Sequence, residues 1–209
     1  MCAVESTISE FDDQNILINA RVCFLKHRHR ETHTYNRNTL DAAIVGGRGE
    51  MAVFHLLTSV FGHVSDIVVR MNTWEPDVSH HYPDPFLGFP KHGDLQVINT
   101  NGIFVRVEVK TVRQSTWDKG SQWRRCVPNA PNDSQLDEYV AHDAVVVWCV
   151  ASNRVTERQV KVMGWNTAED LIKYGRDVLL SCPNRNIQND WQMRKTGSLC
   201  NNIRSRLRR

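Results

Sequence analysis

The sequence predicts an α/β (α+β) domain, a mixed central sheet flanked by helices, and three observations carry that expectation. An apolar stripe at helical spacing, Val53, Phe54, Leu57, Val60 and Phe61, runs through GRGEMAVFHLLTSVFG. Five short segments alternate in polarity or are wholly apolar, as strands do: VSDIVVRM, LQVINT, IFVRVEVKTV, AVVVWCVA and RQVKVMGW. A helical stretch falls between the third and fourth of them and another follows the fifth, an order suited to helices packed on a sheet.

The totals agree with one domain. The chain has 209 residues, 41% hydrophobic and 23% charged, enough to bury a core. No run approaches the roughly 18 apolar residues that span a bilayer. The acidic start MCAVESTISEFDDQN lacks an apolar signal core, so an intracellular, cytoplasmic protein is expected. Six cysteines without a CxxC pair suit reduced thiols better than a disulfide framework, a zinc site or an iron–sulfur cluster. Net charge is only +3, but KHRHR (26–30) and the acid-free stretch from Arg194 to Arg209 are basic. Basic ends on a near-neutral body suit a polyanion partner, and a solvated, frayed tail explains the second equally well.

In chain order, the first forty residues are polar, and NILINARVCFL suits a strand or a short helix. A helix is expected from about Arg48, with Gly62 as its stop. Val64 to Met71 reads as a strand. Residues 72–93, rich in Pro, Gly, His and Asp, read as a long surface loop. Asn101-Gly102 marks a hairpin joining LQVINT to IFVRVEVKTV. The polar stretch 114–134 reads as a loop, QLDEYVAH as a short helix, and AVVVWCVA and RQVKVMGW as strands. Thr167 and Asp170 form a capping box for a helix ending near Gly175.

The strand VRVEVKTV directs attention to chemistry. Side chains alternate along a strand, so Arg106, Glu108 and Lys110 share one face and Val105, Val107 and Val109 the other. The hairpin brings Asp94, which opens LQVINT, towards Glu108 and Lys110. Two carboxylates from adjacent strands make an all-oxygen site suited to Mg²⁺, and a lysine beside them can orient a metal-bound water and offset phosphate charge. Glu50 lies at the end of the apolar stripe, where an inward carboxylate needs a cation or donors. Each residue also has a plainer reading: a surface ion pair for Glu108 and Lys110, a turn residue for Asp94, an early-turn acid for Glu50.

Taken in order, Glu50, Asp94 and Glu108-Val109-Lys110 resemble the PD-(D/E)XK nuclease superfamily, the restriction-endonuclease-like fold. The likeness covers about residues 48–151. Residues 1–45 form an N-terminal extension, and 152–209 a C-terminal strand–helix decoration, like that of some phage and prophage members, with a basic tail. The resemblance implies an αβββαβ core with the acid-x-lysine on its third strand. It implies Mg²⁺-dependent hydrolysis of DNA phosphodiesters, with Mn²⁺ as substitute and a homodimer suited to cutting both strands. Asp94, Glu108 and the Val109 carbonyl would hold the metal, Lys110 would position the water, and Glu50 would complete the shell or bind a second ion. The chain departs from the pattern by placing Gly93, not proline, before the aspartate. Pro83-Asp84 makes Asp84 the alternative ligand, although Pro85 blocks strand pairing there. Gln135 and Tyr139 of QLDEY match the QxxxY of the RecB-like branch, and equally suit a helix flank. An RNA-processing enzyme or a catalytically silent nucleic-acid-binding module on the same fold are the alternatives.

Further nucleic-acid contacts are expected from Arg106, from Lys119, Arg124 and Arg125 beside Trp117 and Trp123, and from Arg204, Arg206, Arg208 and Arg209. The tryptophans are equally suited to anchoring their loop on the domain. His80, His81, His92 and Asp77 are zinc-competent types without a zinc spacing, better suited to contacting DNA or gating the cleft.

Overall fold

The computed structural model describes residues 3–27, 37–72, 93–123, 133–154, 156–174 and 194–209. In chain order they form β1 (Val4–Thr7), α1 (Glu10–His27), α2 (Arg37–Phe61), β2 (Ile67–Met71), β3 (Leu95–Asn99), β4 (Phe104–Arg113), α3 (Gln114–Trp123), α4 (Asp133–Ala141), β5 (Val145–Ala151), β6 (Gln159–Thr167), α5 (Ala168–Tyr174) and α6 (Leu199–Arg206). The strands make one mixed sheet in the order β1-β6-β5-β4-β3-β2. Only β4 and β5 run parallel; the other neighbours are antiparallel. This is a mixed α/β fold with a central sheet flanked by helices.

The alternation of β4 divides the core. Val105, Val107 and Val109 pack with α1, α2 and α6 on one side of the sheet. On the other side Val112, Val146, Trp148 and Val150 pack with Trp117 of α3, Tyr139 of α4 and Leu171 of α5. The hairpin forms where expected. Gly102 takes φ +79, and the Asn99 side chain accepts from the N–H groups of Asn101 and Ile103. The capping box forms too: Asp170 accepts from the Thr167 N–H and Thr167 Oγ1 from the Asp170 N–H, each at 3.0 Å. Against the cost of its burial, Arg194 and Thr167 hold the Asp170 carboxyl below its ordinary range. α2 ends at Phe61, and the Gly62 N–H returns to the Thr58 carbonyl at 2.7 Å.

Four expectations need correction. NILINARVCFL is neither strand nor short helix but part of α1, whose first turn is closed by Ser9 and Asp12: the Asp12 N–H donates to Ser9 Oγ and the Ser9 hydroxyl to Asp12. The second helix is already running at Arg37, so Glu50 lies in its middle and not in its first turn. The expected loop after β4 begins as α3, with Trp117 buried and the Ser115 N–H capped by Asn153. The basic tail ends in α6 and is not frayed: Leu199, Ile203 and Leu207, spaced at i, i+4 and i+8, are buried.

The glycines of GGRGE explain the second correction. They do not start a helix; they let one approach its neighbours. A Cβ on Gly47 would come within 2.9 Å of Ile16 on α1, and one on Gly49 within 1.8 Å of Thr111 on β4. A glycine in a helix costs about 1 kcal/mol relative to alanine. Here that cost is offset by seating α2 directly on β4, which delivers Glu50 to the edge of the sheet.

Candidate functional site

β4 is longer than the strand beside it. Leu95 to Ile98 of β3 pair with Val107 back to Phe104, while β4 continues to Arg113 with β5 alone. At that step in the sheet Asp94 replaces the missing strand: its Oδ2 accepts the Val109 N–H at 2.7 Å. In an extended strand the N–H and C=O of one residue point to the same side. The Val109 carbonyl is therefore directed to the same open edge.

A cavity of about 670 Å³ opens there, lined among others by Asp41 and Glu50 of α2, Asp94, and Arg106, Glu108 and Lys110 of β4. Gln135, Glu138 and Tyr139 of α4 close its far wall. Gly93 is required at the entrance to β3. It takes φ +74, and a Cβ on it would meet Arg106 Cγ at 2.7 Å and Glu108 Oε1 at 2.8 Å. Proline, with φ locked near about −65°, could not stand there. The departure from Pro-Asp thus has a local geometric cause.

On the α4 side, the Arg106 guanidinium donates Nε to Glu108 Oε1 at 2.6 Å and Nη2 to Glu138 at 2.9 Å. Arg106 is 5% exposed. Its burial works against its charge, but Glu108 and Glu138 hold it firmly protonated. The Tyr139 ring lies 5.7 Å from the Arg106 guanidinium and 5.6 Å from Lys110 Nζ, and its hydroxyl hydrogen-bonds to Glu108. Burial and the charges of Glu108 and Asp94 push that hydroxyl well above its usual pKa, so it stays protonated and donates. Gln135 Oε1 accepts from Lys110 Nζ at 3.5 Å. Gln135 and Tyr139, one turn apart on α4, therefore both touch the charged face of β4.

The electrostatics are unbalanced. Burial, then the charges of Glu50 and Glu108, push the Asp94 carboxyl up to about 8, against the pull of the Val109 N–H and Lys110. Burial lowers Lys110, while Asp94 and Glu108 partly restore it. Acidic groups gathered this closely in a half-buried cleft suit a hard cation with oxygen ligands. Asp94, Glu108, Glu50 and the Val109 carbonyl are the donors present. Among the described residues no three acidic, histidine or cysteine side chains already stand as a closed cation cluster.

The other expected residues are distributed differently. Asp84, Arg124 and Arg125, with Asp77, His80, His81 and His92, lie outside the described residues. Lys119 belongs to α3. Trp117 is buried in the second core, as the anchoring reading expects. Arg204 stacks over Phe61 at 5.6 Å, and Arg206 donates to the Asp143 carbonyl at 2.6 Å. The Asn99 side chain donates to the Leu207 carbonyl, so α6 ends beside the β3–β4 hairpin, at the opposite end of β3 from Asp94. Arg208 and Arg209 are exposed there. The sequence reading missed Glu138, which signals itself only as an acid one residue before Tyr139 on the exposed side of a short helix. Among the described residues no helix is long and apolar enough to cross a membrane. No family model, curated protein or solved structure matches the chain.

Proposed function

We propose that the chain is a divalent-metal-dependent nuclease of the restriction-endonuclease-like class, hydrolysing DNA phosphodiester bonds. The observation that carries the reading is the meeting of Glu50 of α2, Asp94 just before β3 and Glu108 of β4 with Lys110 in one cavity. The order α2, β2, β3, β4, α3, α4, β5, an αβββαβ run with one extra helix after the third strand, supports it, as does the position of the acid-x-lysine on that third strand.

The acidic floor favours a cation. Asp41, Glu50, Asp94, Glu108 and Glu138 line the cavity against Arg106, Lys110 and Arg113, so a phosphodiester entering alone meets net repulsion. A bound Mg²⁺ or Mn²⁺ would reverse that repulsion, acidify a water and stabilise charge on the phosphate. Asp94, Glu108 and the Val109 carbonyl would hold it, with Glu50 beside them. Lys110, its amine made easier to deprotonate by burial, orients the attacking water through Nζ. Gln135 fixes the Lys110 amine and Tyr139 fixes the Glu108 carboxylate.

The test is incubation with Mg²⁺ and end-labelled linear, circular, single-stranded and branched DNAs, with RNA in parallel. Cleavage is expected with the wild-type chain and is expected to fall by roughly 10³-fold in Lys110→Ala and Asp94→Asn, the scale of lost acid–base or metal-water catalysis. Equal cleavage by wild type and both variants would sink the assignment. Binding of DNA without cleavage would favour the catalytically silent module.

A further inference from the structure

The acid of the acid-x-lysine pair already has a cation. Arg106 lies two residues before Glu108 on the same face of β4, and its Nε meets Glu108 Oε1 at 2.6 Å in a site where both side chains are buried. A second nitrogen of the guanidinium, Nη2, is held by Glu138 of α4, whose side chain is 55% exposed. The third nitrogen, Nη1, is buried without a hydrogen-bond partner. A guanidinium locked for structure alone would be expected to satisfy its donors, because a partly satisfied buried network is costly. This one is shared between two carboxylates, one at the candidate metal centre and one facing solvent.

We propose that Arg106 is a resident counter-ion of the site: it neutralises Glu108 while no divalent ion is bound, competes with that ion for the Glu108 carboxylate, and is drawn aside by Glu138 when the ion enters. The inference rests on the metal-centre reading above. Arg106 and Glu138 are positioning residues on this view, setting how tightly the ion is held.

Mn²⁺ binding by calorimetry and melting temperature with and without Mn²⁺ test this on the full chain, with no substrate present. Arg106→Gln is expected to bind Mn²⁺ about tenfold more tightly or better, since a competing unit charge is gone. The same variant is expected to melt lower than wild type without metal and to recover most of the difference in saturating Mn²⁺, because the ion takes over the role of the guanidinium. Glu138→Gln, at a half-exposed position that should fold regardless, is expected to weaken Mn²⁺ binding severalfold by leaving Arg106 wholly to Glu108. That weakening should vanish when Glu138→Gln is placed in the Arg106→Gln background. Wild-type binding with unchanged affinity in Arg106→Gln, or additive effects of the two substitutions, overturns the proposal and leaves the metal centre standing. Absence of Mn²⁺ binding in wild type and both variants removes the metal centre and the proposal together.

Discussion

Arg48 and Glu50 lie two residues apart on α2, and their side chains meet opposite circumstances. Arg48 is buried against α1, where its Nε and Nη2 donate to the two oxygens of Asp13 at 2.6 and 2.9 Å. One base meets one acid, both hydrogen-bonded in the fork geometry that carboxylates accept best. Glu50 lines the cavity with Asp94, Glu108, Glu138 and Asp41, where carboxylates outnumber cations and Asp94 is pushed up to about 8. The first arrangement is electrostatically complete and holds two helices together. The second gathers more acids than bases into one cavity. A buried pair that balances its own charge is structural; an excess of one sign in a cleft suits a ligand of the other.

Breaking the closed pair should cost the most stability. Asp13→Ala leaves the Arg48 guanidinium buried without its partner, so a loss of about 3 kcal/mol is expected in urea unfolding. Activity per folded molecule should be unchanged, because Asp13 lies on α1 and not in the cavity. A loss near zero would mean that Arg48 finds another carboxylate and that the pair does not hold α1 in place.

The open site should respond in the opposite direction. Asp94 keeps its proton in the folded chain up to about pH 8, whereas the unfolded chain loses it near 3.8. Between those values the folded state binds more protons, so the stability of the metal-free protein falls as pH rises and levels off above about 8. Asp94→Asn removes that dependence. In EDTA at pH 8.5 it should melt on the order of 3 °C above wild type while losing cleavage. Equal melting temperatures from pH 5 to 8.5 would show that Asp94 is not under this strain.

The smallest effect concerns the end of α6. Removing everything after Leu199 would delete Ile203 and Leu207 from the core and confuse binding with unfolding. Arg208→Gln with Arg209→Gln leaves the helix intact. If these exposed arginines contact phosphates, the slope of log affinity against log salt should fall by at most about 2. An unchanged slope would assign the basic end to solvent.

Much of this was legible because strand period and hairpin chemistry are local. Asn101-Gly102 and the alternation of VRVEVKTV are enough to place Arg106, Glu108 and Lys110 on one face, and Thr167 with Asp170 marks the start of α5. The extent of α2 was hidden because three glycines mimic a helix boundary, and only the approach to Ile16 and Thr111 reveals their purpose. The stripe Leu199, Ile203, Leu207 was present but masked by the arginines between its members. The Arg106–Glu138 contact spans two elements and follows no periodicity, so only the folded chain brings it into view.

Val4 of β1 pairs with Val162 of β6, so the outer edge of the sheet is completed by a strand made far earlier than its partner. During synthesis β1 must wait while α2, the β3–β4 hairpin and α4 emerge, although every residue lining the cavity lies between Asp41 and Tyr139. Long-range pairings of this kind form slowly. The order of manufacture therefore differs from the order of the sheet: β1 leaves the ribosome before the cavity walls, and its pairing waits until β6 has been made.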